Sequence, residues 1–81
     1  MGWISMVYLS LIREYDDKHV CIYEDRCVFG SREKAEDYQK EDFVERIKQP
    51  DTSWSSEDPH VVKYPQGYYV RYDVEEHDIK N

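Results

Sequence analysis

The chain reads as two strand pairs separated by a helix. From Ile4 to Tyr15 apolar positions recur with period two, Val7, Leu9 and Leu11 on one parity with Ser10 interrupting the other, and the run ends at Asp16-Asp17-Lys18. Val20 to Phe29 resumes a strand composition, with Glu24-Asp25-Arg26 in its middle predicting a bulge or solvent-facing patch. These two segments are expected to form an antiparallel hairpin. Gly30-Ser31 then breaks the pattern, and the Ser31 hydroxyl suits a helix N-cap, with Glu33 at the positive end of the helix dipole. A helix is predicted over 31–48. Ala35, Tyr38 and Asp42 share a face, but Phe43, Val44 and Ile47 drift from it, which predicts a break near Lys40 and Glu41.

After Pro50, residues 51–59 are dominated by Ser, Asp, Thr and Pro and predict a long loop over 49–59 with Trp54 stranded in it. His60 to Tyr64 and Tyr68 to Val74 read as a second hairpin, joined at Pro65-Gln66-Gly67, where the glycine can take a positive φ. Tyr68, Val70, Tyr72 and Val74 should face the core, and Tyr69, Arg71, Asp73 and Glu75 the solvent. The expected fold is α+β, a single domain over 1–81: an antiparallel sheet of about four strands with the helix packed on one face, and mobile ends at 1–5 and 76–81.

Composition sharpens this picture. Charged residues make up 36% and aromatics 15%, so the chain is polar but holds too many large rings for a disordered one. Eighteen Asp plus Glu against eleven Lys plus Arg give a formal charge of −7, which repels phosphate backbones and argues against direct nucleic-acid binding. The charge is uneven. The helix mixes both signs, whereas Asp51, Glu57 and Asp58, and then Asp73, Glu75, Glu76 and Asp78, carry the surplus. No apolar run approaches the roughly 18 to 20 residues of a membrane span, and two cysteines are too few for a secreted disulfide framework, which favours a cytoplasmic protein.

Candidate chemistry is sparse. His19, Cys21, Cys27, His60 and His77 are zinc-ligand types, but Cys21 and Cys27 stand six apart on one strand, not at knuckle spacing, so no metal and no cofactor is expected. A Cys–His nucleophile pair would sit among Asp16, Asp17, Glu24 and Asp25, whose charges raise a thiol pKa, so no catalytic residue is assigned and a non-enzyme is expected. Binding is better supported. Trp54 is either an interface anchor or a lid folded back on the sheet, and Tyr69 and Arg71 are of types enriched at interfaces. The candidate partner-binding residues are therefore Asp51, Trp54, Glu57, Asp58, Tyr69, Arg71, Asp73, Glu75 and Glu76.

The run Val28-Phe29-Gly30-Ser31-Arg32-Glu33-Lys34-Ala35-Glu36-Asp37-Tyr38, after the strand holding Val7-Tyr8-Leu9 and before the Tyr- and Val-rich segment Tyr69 to Glu76, resembles short uncharacterised proteins of phages and their bacterial hosts. In those, a strand pair ends in a Phe-Ser-Ser-like turn into an Arg-Glu-Lys-Ala-Glu-x-Tyr helix start. One departure is Gln39, where an aliphatic residue is usual. The resemblance carries a fold and a phage-like origin without an active site. It implies a small acidic protein that binds and inhibits or redirects a host protein in the host cytoplasm, the partner offering a basic or DNA-binding surface. Two alternatives stand beside it. One is a DNA mimic directed at a nuclease, CRISPR effector, histone-like protein or RNA polymerase; the other is a structural domain, dimeric through an exposed sheet edge.

Overall fold

Among the described residues, five strands and one helix arise where the periodicities change. The computed structural model describes residues 4–80, in the order β1 (Ile4–Tyr15), β2 (Cys21–Phe29), α1 (Arg32–Ile47), β3 (Ser53–Ser55), β4 (His60–Lys63) and β5 (Tyr69–Lys80). All pairings are antiparallel, and the sheet order is β2-β1-β5-β4-β3. Both expected hairpins form. The central pairing joins the first and last strands, Ile4 opposite Lys80 and Tyr15 opposite Tyr69. Residues 4, 5 and 76–80, read from the sequence among mobile ends, lie in these strands; 1–3 and 81 lie outside the described residues.

Three expectations are corrected. The segment read as loop contributes a short fifth strand, β3, pairing Trp54 with Val62. The ladder irregularity falls between Glu14 and Tyr15, opposite Cys21 and Tyr23, so Ile22 is the extra residue; of the two alternatives for Glu24-Asp25-Arg26 the bulge does not form, and the solvent-facing patch does, with Glu24 and Arg26 exposed. The helix is unbroken for 16 residues, opened by Ser31, whose Oγ accepts from the Lys34 N–H at 3.2 Å. It needs no break because its inner stripe is continuous once polar residues are counted: Ala35, Tyr38, Gln39, Asp42, Phe43, Arg46 and Ile47 follow the i, i+3, i+4 spacing of one face.

That stripe meets a sheet face with polar positions of its own. Ile12, Val62, Val70 and Tyr72 form the buried cluster, with Tyr38, Phe43, Ile47 and Tyr64 packed against it. Val70 and Tyr72 lie inward as the alternation predicted. In β1, however, the parity facing the helix is that of Ser10 and Ile12, so Val7, Leu9 and Leu11 lie on the helix-free face. Leu11 is nonetheless buried there, between its cross-strand neighbours Arg26 and Asp73. Long arginine stems shield apolar surface in this way.

The two hairpin turns converge at one end. Asp16 Oδ1 accepts from the N–H groups of Lys18 and Val20, both at 2.9 Å. Gly67 adopts φ 91°, and a Cβ there would stand 3.1 Å from Asp17 Cβ, so both conformation and space call for glycine.

Candidate functional site

The site is built by what the helix leaves uncovered. Arg32 Nη2 donates to Glu76 Oε1 at 2.6 Å at one end of α1, and Arg46 Nη1 reaches Glu14 Oε1 at 3.4 Å and Tyr64 Oη at 3.0 Å at the other. The helix rises about 21 Å between these arginines, and β1 advances about 20 Å from Tyr8, opposite Glu76, to Glu14, so both anchors fit at once. Alongside the helix, above β5, β4 and β3, a groove of about 760 Å³ remains, lined by Arg32, Glu36, Lys40, Phe43, Trp54, Asp58, His60, Tyr72 and Val74 among others.

Its apolar floor is aromatic. Phe43 takes Trp54 edge-on at 5.5 Å between centroids and Tyr72 edge-on at 5.9 Å, with His60 tilted at 6.2 Å. Trp54 is 53% exposed, so it stands at the groove's outer wall and does not close over the sheet. Rings in these orientations attract by their quadrupoles, so the indole is held in place before any partner arrives.

Behind the groove lies a hydrogen-bonded seam. Asp42 Oδ2 accepts from Tyr72 Oη at 2.6 Å and from Arg46 Nε at 2.6 Å, and Gln39 Nε2 donates to Ser10 Oγ at 3.0 Å and to the Asp73 carbonyl at 2.6 Å. Gln39, where the resemblance leads one to expect an aliphatic residue, is thus a buried tie between helix and sheet. Burial, and then the adjacent Asp42 carboxylate, push the Tyr72 phenol well above its ordinary range. Contacts with Cys27 and Asp25 do the same to Tyr38. For Arg46, burial opposes the charge, but Asp42 and Tyr64 outweigh it and the guanidinium is raised.

The candidate residues read from the sequence are divided by the sheet. Trp54 and Asp58 line the groove; Asp51, exposed at φ 65°, and exposed Glu57 belong to the loop segments beside β3. Glu76 closes the groove's far end through Arg32. Asp73 also lines the groove and accepts from Gln39 through its backbone carbonyl, but its side chain, with those of Tyr69, Arg71 and Glu75, lies on the opposite, helix-free face. There Tyr69 stacks on Tyr15 at 4.9 Å and its hydroxyl lies 3.0 Å from His19 Nδ1, Arg71 Nε is 4.0 Å from Asp73 Oδ2, and Glu75 Oε1 is 3.2 Å from His77 Nε2. One contiguous patch joining Trp54 to Tyr69 does not form.

Sequence reasoning missed Phe43, His60 and Lys40 as groove residues and Tyr15 as the partner of Tyr69. Only the β1–β5 pairing, which no local pattern signals, brings Tyr15 there. Among the described residues no group of His, Cys, Asp and Glu is arranged to hold a metal, and no helix is long and apolar enough to cross a membrane. Cys21 and Cys27 are unbridged.

No protein-family model matches the chain, and no match is found among curated proteins or solved structures.

Proposed function

We propose that this protein is a non-enzymatic binding module that engages another protein through the groove beside Trp54. In line with the resemblance of its sequence, we read it as phage-encoded and its partner as a host protein that it inhibits or redirects. The observation that supports this most is Trp54 itself: an indole more than half exposed, held by Phe43 at the wall of an aromatic-floored groove. Tryptophan in such a setting is a common hot spot, because a fixed ring loses little conformational entropy on binding.

Aromatic contact is favoured over charge mimicry by the disposition of the acids. Glu14, Glu24, Asp42 and Glu76 are each bonded to an arginine of the same chain, and the surplus carboxylates are split between the β3 edge and the β5 end. They do not form the one-signed stripe that mimicry of a phosphate backbone requires.

Affinity capture from host lysate at physiological salt, with wild type and Trp54→Ala in parallel, tests the reading. A stoichiometric partner held by wild type and lost with Trp54→Ala supports it. Absence of any such partner, or retention by both proteins, overturns it. A partner released instead by modest salt and displaced by DNA would favour mimicry.

A further inference from the structure

We propose that β2 is a self-pairing edge, through which two copies join antiparallel about a two-fold axis at Asp25. Among the described residues the sheet order leaves β2 hydrogen-bonded only to β1, so there its outward N–H and C=O groups over Cys21–Phe29 have no ladder partner. Edge strands are usually blunted by shortness, charged side chains and lysine above all, proline or a bulge; the charges of β2 include both signs, so Glu24 and Arg26 can answer one another across a shared edge. The opposite edge, β3, is blunted by its length of three residues. β2 has nine residues, holds neither lysine nor proline, and carries its only irregularity near its start, at Ile22. It also exposes Ile22 (50%), Tyr23 (53%) and Val28 (64%).

The side-chain order along this edge is complementary to its own reverse. A two-fold axis normal to the sheet keeps both helices on one face and places each residue opposite one of the same parity. Centred on Asp25, the pairing sets Glu24 against the partner's Arg26 and Ile22 against the partner's Val28, each twice, with Tyr23 against the partner's Cys27. Centring on Glu24 would oppose Ile22 to the partner's Arg26, and centring on Arg26 would oppose Glu24 to the partner's Val28. Only the Asp25 register matches charge with charge and apolar with apolar.

Arg13 Nε holds Glu24 through Oε1 at 2.9 Å, so it is Oε2, facing Arg26, that remains for the partner. The Arg26 side chain is 60% exposed and only 3.5 Å from Glu24 of its own strand, so both reach the edge already paired in sign. The unfavourable element is Asp25 facing itself. It is softened because each carboxylate is turned to its own helix, accepting from Tyr38 Oη at 2.7 Å.

The register makes the test specific. Sedimentation or light scattering of the full chain up to millimolar concentration should show the mass rising from 9.9 kDa to twice that value. Asp25→Asn, which keeps an acceptor for Tyr38 but removes the facing like charges, should shift dimerisation to about two- to fivefold lower concentration, the range set by a cross-strand charge pair. Val28→Lys, at a position already exposed, should leave a folded monomer.

Tyr23→Cys in a Cys21→Ser background should form, on oxidation, a disulfide linking position 23 to the partner's Cys27. The two positions lie about 13 Å apart along one strand, beyond the reach of a bridge within one chain. A monomer at all concentrations for both wild type and Asp25→Asn overturns the proposal. So does a dimer that survives Val28→Lys, or a disulfide joining position 23 to itself.

Discussion

At the scale of single residues, Tyr72 and Tyr38 do the most with one hydroxyl each. Both donate to a carboxylate between helix and sheet, Asp42 and Asp25 respectively, and each ionises in the folded protein only well above a free tyrosine. The sign of the consequence follows. Folding favours the protonated phenol, so the stability it contributes is intact below about pH 10, where an unfolded tyrosine begins to ionise, and drains away as pH rises beyond it. Denaturant melts between neutral pH and pH 11 should therefore show stability falling above pH 10. Tyr72→Phe should flatten that fall, and in an absorbance titration it should remove tyrosinate signal that otherwise appears only with unfolding. A stability profile of unchanged slope in Tyr72→Phe would refute this assignment.

At the scale of elements, the seam between α1 and the sheet is written in hydrogen bonds as much as in apolar volume. Asp42 satisfies Tyr72, which is buried, and Arg46, which is partly so, with one oxygen. Asp42→Ala leaves both donors without that acceptor and should destabilise the fold by about 1.5–3 kcal/mol, the range for hydrogen bonds to a charged group. In the Tyr72→Phe background the same substitution should cost measurably less, since the orphaned hydroxyl is gone. Equal costs in the two backgrounds would show that the pair is not coupled.

The same seam explains what was legible in the sequence. Strand alternation in β5, the Ser31 cap and the Gly67 turn are local and could be read directly. The helix looked broken because Gln39, Asp42 and Arg46 occupy inward positions where pattern reading expects apolar residues. Their partners Ser10, Glu14, Tyr64 and Tyr72 are scattered over two strands and the β4–β5 turn. Polar matches across such distances leave no periodic trace. For the site, Trp54 stood out as an isolated aromatic, but Phe43, which holds it, and His60, which packs on Phe43, become neighbours only when β4 and the helix are placed together.

At the scale of the whole molecule, the sheet has two dissimilar borders. β3 and the Trp54 groove lie at one, β2 at the other, so pairing through β2 would leave two grooves at the far ends of a ten-stranded sheet. A bivalent arrangement of that kind gains avidity toward a partner that is itself repeated or dimeric.

The central β1–β5 ladder also determines how the chain reaches its fold. Its contacts join residues up to the Ile4–Lys80 separation, which places the fold among high-contact-order topologies that form in milliseconds to seconds. Yet Ile4 and Lys80 lie side by side, so the described residues trace almost a closed ring, cut between these two positions. Closing that cut with a short linker and opening the ring between α1 and β3, at 49–52, turns the slowest pairing into a local hairpin. Such a circular permutant should keep the wild-type circular dichroism spectrum and refold faster in stopped flow. Refolding at the wild-type rate would show that another step limits folding. Where the backbone is severed is thus a variable separable from the architecture, and the connection order of the five strands can be rewritten without moving any of them.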